Sequence, residues 1–387
     1  MKARNPVDLL THKRLDVIVK YLYASNLSSD YYKNAYKKHL KVLNGFYEKT
    51  PRKSGFEDFD DAFKSIINNV VDEPVPVNDE GHLANGAHRL AAALYHQRPI
   101  NARQTTQDEN YPIFADYNFF RDKGLSSDIL KRSALEYAKL KSNTHVICLF
   151  PIAHTRLDEV MDIINEHCNI FYHSSETLNS RGQIGLIKEI YLKDGWANEQ
   201  GIQRKCDQCF MGKTNITFVL VDAKDLETVK EMKKKIRSLF NVGNHSVHIN
   251  DTHEEAVRIA KTVFNDNSIH FLNNRKIATF SNYKKLMSDT SPNDNTVITG
   301  STVLSLYGLR DCKDIDSIYY ENAPADSHNQ YLETHYKLSV DDIVNDPRNH
   351  LYYNGFKYVS LDVIKNMKTI RNESKDIVDV QLIESIK

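Results

Sequence analysis

Thr296-Val-Ile-Thr-Gly-Ser-Thr-Val-Leu-Ser-Leu-Tyr-Gly-Leu-Arg-Asp-Cys-Lys-Asp-Ile-Asp316 is the stretch on which the reading of this chain turns. An apolar run reaches Gly300-Ser301, a helix-length segment follows, and Asp314 and Asp316 then flank Ile315. On a strand, where side chains alternate with a period of two, both carboxylates point to the same face. Two carboxylates on one face are costly unless a cation lies between them. Asp314 and Asp316 are therefore candidate ligands for Mg2+ carrying nucleotide phosphates. Gly300 and Ser301 suit the phosphates themselves, because a small residue lets the backbone approach while amides and a hydroxyl donate.

This arrangement resembles the polymerase-β-type nucleotidyltransferase family, whose small members carry Gly-Ser, a short helix and an Asp-x-Asp strand. The end of the chain is similar to the closing strand and helix of those enzymes: Phe356-Lys-Tyr-Val-Ser-Leu-Asp-Val-Ile-Lys-Asn-Met-Lys368, then Arg371, Lys375-Asp376 and Asp379. The resemblance implies an NTP substrate, catalytic and metal-binding roles for Asp314 and Asp316, and a third carboxylate. Asp326 and Asp362 are the candidates for that third ligand, with Asp326 preferred.

Upstream, the spacing of Leu9-Leu10, Leu15, Val17-Ile18 and Tyr21-Leu22 predicts helices, as does that of Tyr36, Leu40, Leu43 and Phe46. Pro74 and Pro76 bracket a short extended segment. The turn Asn85-Gly86 then feeds an alanine-rich helix with His88 and Arg89 in its first turn. A glycine before a helix start, with Arg and His beside it, suits an anion. Asn85-Gly86-Ala87-His88-Arg89 resembles the signature of the ParB/sulfiredoxin-like superfamily, with Asn where Asp is commoner. The resemblance implies that Asn85, Gly86, His88 and Arg89 bind nucleotide phosphates.

After a polar linker at Gln104–Asn110 and a helix at Ser127–Leu140, the pattern changes at Asn143. Strand-like runs at Val146–Phe150, Ile170–Tyr172, Ile216–Val221 and Ser246–Asn250 alternate with helical runs at Leu157–Ile164, Ile184–Tyr191, Leu226–Phe240 and Glu254–Phe264. The order predicts a ferredoxin-like βαββαβ domain. Within it, Ile236-Arg-Ser-Leu-Phe240 and Asn244-His-Ser-Val-His-Ile-Asn-Asp-Thr-His-Glu-Glu-Ala256 resemble the nucleoside diphosphate kinase family. That resemblance implies that His248 takes the γ-phosphate, that Arg237 binds phosphate, that Asn244 or His245 lies near the nucleotide, and that Tyr191 lies beside the histidine. A neutral imidazole near pH 7 is a competent phosphoryl acceptor. Three departures stand out. Ile249 replaces a glycine, Phe150-Pro151 replaces the Lys-Pro pair, and the acid that would orient the histidine falls on Ile259.

Composition bounds these readings. The 387 residues contain 51 Lys+Arg and 51 Asp+Glu, so no global field draws in nucleic acid or an anionic membrane, and direct nucleic-acid binding is not expected. Phosphate binding must be local. No apolar run is long enough to span a bilayer, and Met1-Lys-Ala-Arg-Asn-Pro leads into an amphipathic helix, so a cytoplasmic protein is expected. Five cysteines argue against a disulfide framework. Cys206-Asp-Gln-Cys209 has metal-ligand spacing but lacks a second pair, and reads as two reduced thiols in a loop.

The expected fold class is α+β in three domains. These are a helical entry with a ParB/sulfiredoxin-like α/β domain at 1–140, a nucleoside diphosphate kinase-like domain at 141–276, and a nucleotidyltransferase-like mixed sheet with helices at 277–387. The expected function is NTP-dependent phosphoryl or nucleotidyl transfer, with ATP or another NTP as substrate, to a small-molecule acceptor of the kind found in bacterial surface-polysaccharide synthesis. An oligomer is compatible with this reading. The alternative is a regulatory or defence-type nucleotidyltransferase that modifies protein or tRNA, with the ParB-like domain binding nucleotide or DNA.

Overall fold

The computed structural model describes residues 2–44, 56–69, 73–106, 115–278 and 280–386, and is mixed α+β. Phe46 and the later part of the Gln104–Asn110 segment lie outside the described residues. The chain divides into two compact units. One comprises Met1–Thr144, Asn169–Tyr172 and Leu220–Asp222; the other comprises His145–Cys168, His173–Val219 and Ala223–Lys387. No described helix is long and apolar enough to cross a membrane.

The first unit runs β1 (Lys2–Arg4), α1 (Leu15–Ala24), α2 (Asp30–Asn44), α3 (Phe56–Asn68), β2 (Val75–Val77), α4 (Ala87–Tyr95), β3 (Ile100–Gln104), α5 (Tyr117–Asp122) and α6 (Ser127–Leu140). Helix α1 packs against α2, α4 and α6, which explains why its apolar residues Leu15, Val17, Ile18, Val19 and Leu22 are all buried. Its enclosure also buries Asp16 and Lys20. Asp16 receives the Arg14 guanidinium at 2.8 Å and Lys20 Nζ at 2.8 Å, and Arg14 Nη1 donates to Leu83 O. Beside the sheet β1-β3-β2, Gly86 adopts φ +92 just before α4, and a side chain there would run into Val75.

The second unit contains most of two four-stranded sheets, the strand residues named above for the first unit excepted. Its first part runs β4 (Thr144–Leu149), α7 (Leu157–His167), β5 (Asn169–Thr177), α8 (Ser180–Ile190), α9 (Glu199–Phe210), β6 (Asn215–Asp222), α10 (Leu226–Ser238), β7 (Val247–Ile249), α11 (His253–Val263) and α12 (Asp266–Asn274). The strand order is β5-β6-β4-β7, and antiparallel pairing sets Cys148 directly opposite His248. Two helices lie between β5 and β6. The second of them, α9, corrects the expectation of a cysteine loop: Asn198 caps its start, and Cys206 and Cys209 lie one turn apart facing the core, both buried as free thiols.

The remainder runs α13 (Ser281–Ser288), β8 (Thr296–Thr299), α14 (Ser301–Leu306), β9 (Asp316–Tyr319), α15 (Val340–Asn345), β10 (His350–Tyr353), β11 (Phe356–Val359), α16 (Leu361–Arg371) and α17 (Ser374–Glu384). The sheet order is β10-β11-β8-β9, with one parallel pair between β11 and β8. The charged pattern near the C-terminus closes on itself. Lys368 Nζ contacts Asp376 at 3.1 Å and Asp379 at 2.7 Å, Arg371 pairs with Asp376, and Arg310 pairs with Asp379. Lys375 instead meets Glu373 at the surface.

Replacing Asp16 with Asn leaves Arg14 and Lys20 without their counter-charge, and a loss of about 3–5 kcal/mol is expected in urea unfolding at pH 7. Arg14 and Lys20 hold the Asp16 carboxyl well below the ordinary range against the opposing effect of burial. Its contribution is therefore complete above the unfolded carboxyl value and is lost as pH falls below it, so the gap between wild type and variant should narrow below about pH 4.

Candidate active site

A cavity of about 900 Å³ in the second unit, open to solvent, is built from α9, α10, the end of α8 and the turn before α11. His248 lies at its floor on β7 and is only 9% exposed. Glu255 Oε1 is 3.3 Å from His248 Nε2, within ion-pair reach. The Nε2 atom is buried and makes no hydrogen bond among the described residues. The other carboxylate oxygen of Glu255 accepts the Asp251 N–H at 3.2 Å, and Thr252 caps the start of α11 by accepting the Glu255 N–H. The Tyr191 ring stands edge-on to the imidazole with centroids 5.1 Å apart.

Burial drives the imidazole pKa below its ordinary value, with Lys233 acting in the same direction and Glu255 opposing. His248 is therefore neutral at pH 7. Glu255 itself is held below the ordinary carboxyl value by His248 and by the Asp251 amide, despite its burial. In a neutral imidazole whose Nε2 is occluded beside a carboxylate, a nucleophilic role is open to the other nitrogen, Nδ1.

Around the histidine, Arg204 and Lys205 from α9 face Lys233 and Arg237 from α10. The latter two are four residues apart and share a helix face. Lys205 Nζ donates to Asn244 O at 3.0 Å and sits over the Tyr191 ring, while Lys233 Nζ donates to Ile249 O. Burial lowers the proton affinities of Lys205, Lys233 and Arg237. The buried Nε of Arg237 has no hydrogen-bond acceptor among the described residues. Of the cavity's three carboxylates, Asp194 accepts from Trp196 Nε1, Glu255 serves His248 and Asp251 lies 3.6 Å from Lys233 Nζ, against four cationic side chains. The balance favours an anion. Trp196, the only tryptophan in the chain, lies at the rim 41% exposed, with its ring against Tyr191.

His248, Arg237, Asn244, His245 and Tyr191, named from sequence, all line this cavity. Sequence reasoning missed Glu255. It looked for the orienting acid at Ile259, but Ile259 is buried in the core and the acid comes from one helical turn earlier. The pattern was visible as Thr252-x-x-Glu255, a capping signature that places Glu255 in the first turn after the histidine strand. Lys205 and Lys233 were also missed. No local motif marks them, because only the tertiary fold brings α9 opposite α10.

The Gly300 corner is assembled differently. Gly300 takes φ +63 and ψ −142, and a Cβ there would collide with Asp316 Oδ2, so the backbone lies directly against that carboxylate. Ser301 begins α14, a helix of six residues. Asp316 is the first residue of β9, paired with Thr299, whereas Asp314 precedes the strand and is exposed. The expectation of two carboxylates on one strand face is not met, because ladder pairing begins only at Asp316 and Thr302 Oγ1 bonds the Asp314 carbonyl at 3.0 Å. Asp316 Oδ1 lies 3.2 Å from His328 Nε2. A hydrogen-bonded chain continues from His328 Nδ1 through Tyr336 OH to Thr299 Oγ1. Asp326 is exposed. Among the described residues, no three His, Cys, Asp or Glu side chains are gathered to hold a metal ion. Asp314, Asp316 and Asp326 are therefore not drawn together into one such group.

In the first unit, Asn85 and Gly86 form the expected turn, and Asn85 Oδ1 accepts the Gly86 N–H. His88 Nε2 lies 2.8 Å from Tyr36 OH and its ring packs on Phe63, so it is engaged with the aromatic core. Arg89 pairs with Glu73 at 2.7 Å and also donates to the carbonyls of Glu73 and Pro74.

No protein-family model matches this chain, and no curated protein matches it either.

The titration of His248, followed by NMR of its imidazole, should lie below the ordinary imidazole range. Glu255→Gln should move it lower still, since the carboxylate is what raises it. An unchanged or raised value would show that Glu255 does not act on the imidazole. At the other corner, Gly300→Ala should cost about 1–3 kcal/mol in chemical unfolding through its φ alone, with the Asp316 contact adding to it. The double variant Gly300→Ala/Asp316→Ala should recover the part of the loss that exceeds the backbone strain.

Proposed function

We propose that the second unit is an NTP-dependent phosphotransferase that passes a phosphoryl group through His248 to the hydroxyl of a small-molecule acceptor. The observation that carries this reading is a buried, neutral histidine held by Glu255 on the floor of an open cavity, with four cationic side chains lining it. The strand order β5-β6-β4-β7 is that of a ferredoxin-like split βαβ sheet, which supports the resemblance to nucleoside diphosphate kinases.

Mechanistically, the negative charge of Glu255 3.3 Å away favours the proton on Nε2, and the Nδ1 lone pair attacks the γ-phosphorus. The bond from phosphorus to the β–γ bridging oxygen breaks, and the nucleoside diphosphate leaves with that electron pair. The imidazolium character that develops is stabilised by Glu255. Lys205, Lys233 and Arg237 hold the phosphate oxygens as charge passes through them, with Arg237 Nε supplying a donor that has no other acceptor. In the second half, the acceptor oxygen attacks phosphorus, the N–P bond returns its electrons to Nδ1, and the hydroxyl proton passes to solvent. Mg2+ enters with the nucleotide as part of the substrate.

One observation favours a second reading, nucleotidyl transfer at the C-terminal corner: Gly300 and the Asp316 carboxylate are in direct contact, as a phosphate corner beside a catalytic acid requires.

Incubation with ATP labelled at the γ- or the α-position separates the two. Under the first reading γ-label is retained on the protein, as an acid-labile, base-stable adduct, and is lost with His248→Ala. ATP should also quench Trp196 fluorescence, and Arg237→Ala should weaken that quenching about tenfold or more in apparent affinity. Retention of α-label that survives His248→Ala and disappears with Asp316→Ala would transfer the chemistry to the C-terminal corner. Retention of neither label would dismiss both readings.

A further inference from the structure

On the reading that His248 carries the phosphoryl group, we propose that Arg258 and Glu189 are a positioning pair through which the C-terminal sheet sets the geometry of that histidine. Neither residue lines the cavity. Both belong to elements that end at it.

Arg258 lies on α11, three residues beyond Glu255 and therefore on the adjoining turn of the same face. Its guanidinium donates to the main-chain carbonyls of Glu189 and Ile190, the last two residues of α8. Terminal helix carbonyls have no partner within the helix, and a cation placed there satisfies them and opposes the helix dipole. The next residue is Tyr191, whose ring packs against His248. Arg258 thus ties the helix that supplies the acid to the helix end that supplies the aromatic wall, and the imidazole sits between the two.

Glu189 completes the tie. Its carboxylate is fully buried, with Oε1 3.0 Å from Arg258 Nη1 and Oε2 accepting the Asn354 N–H at 2.6 Å. Asn354 and Gly355 form the turn between β10 and β11, with φ +51 and +80, the left-handed pair that a tight two-residue hairpin requires. The main chain of the C-terminal sheet is therefore bonded to the carboxylate that orients Arg258. Burial pushes the Glu189 pKa up, and Arg258 and the Asn354 amide oppose it. Asn267 adds a second tie from α12, donating to the carbonyls of Pro347, Arg348 and His350.

The test uses the full chain and the variants Arg258→Gln, Arg258→Lys, Asn354→Val and Asn354→Gly, each first shown to be folded at the assay temperature. Two readouts are taken. The first is acrylamide quenching of Trp196, whose ring packs at a tilt against Tyr191, and this readout requires no activity. The second is the division of γ-phosphoryl transfer from ATP between kcat and KM. Arg258→Gln should increase the quenching of Trp196 and lower kcat about 10- to 100-fold with little change in KM, because a displacement near 1 Å is costly to chemistry and not to binding. Arg258→Lys, which keeps the charge but loses the fork, should recover part of the rate. Asn354→Val forces a β-branched residue into the left-handed region and should reproduce the Arg258→Gln pattern from the other sheet, whereas Asn354→Gly retains the N–H and should behave as wild type. Unchanged Trp196 quenching in folded Arg258→Gln and Asn354→Val would overturn the proposal. A wild type that never takes γ-label would instead dismiss the phosphotransferase reading, and the Trp196 comparison would still decide the fate of the positioning pair.

Discussion

The contact between Glu255 and His248 is the constraint around which the second unit is arranged. Burying an imidazole without a partner costs free energy, and burying a carboxylate costs more. Each is tolerable here because it faces the other and because the local chain prepares the meeting. Asn250 follows the β7 strand and is fully buried. Its Oδ1 accepts the Val146 N–H and its Nδ2 donates to the Thr252 carbonyl, which fixes the turn after the histidine. Thr252 then caps α11, and the cap sets the angle at which Glu255 returns to His248. A short run of sequence thus contains the histidine, the acid and the device that brings them together.

Given that pair, the chemistry depends on what surrounds it. An imidazole forced to remain neutral is a nucleophile in search of an electrophile. The cations on α9 and α10 determine which electrophile is attracted. Lys205 and Lys233 are partly desolvated and bonded to main-chain carbonyls, and Lys233 Nζ also lies 3.6 Å from the exposed Asp251 carboxylate. Their positive charge is thus only partly offset. A cavity of this balance attracts a multiply charged anion, and a base or other ring can reach the exposed indole of Trp196 at its rim.

Much of this was legible in the residues because the relevant signals are local. The histidine strand and the helices on either side follow from periodicity, while the resemblance to nucleoside diphosphate kinases marks Arg237 and Tyr191. The Gly300 corner was also legible, since an apolar strand reaching Gly-Ser marks a tight turn wherever it occurs. What escaped was produced by tertiary placement. Asp314 and Asp316 satisfy the spacing of an Asp-x-Asp strand, but spacing cannot reveal where a ladder begins. The strand starts at Asp316, whose charge is taken up by His328, a residue twelve positions away. Asn85 to Arg89 predicted a turn and a helix correctly, yet Tyr36 and Phe63, distant in sequence, draw His88 into the core. Helix α9 went unseen because its polar, cysteine-bearing stretch lacks the broad apolar stripe that periodicity detects.

The fate of the C-terminal charges shows how one pattern can have two origins. A lysine, an arginine and two aspartates at helical spacing resemble a site, and they also make a closed buried network when the helices pack. In α16 and α17 the second outcome holds: Lys368, Arg371 and Arg310 are each committed to Asp376 or Asp379, which leaves none of these carboxylates for a metal. Charges so fully paired rigidify the helices that flank β11, and the Asn354-Gly355 turn leading into that strand bonds to the buried Glu189 carboxylate. Paired charge in the C-terminal part and incompletely paired charge in the cavity are therefore complementary features. The first holds a scaffold still, and the second leaves a field for a substrate to neutralise.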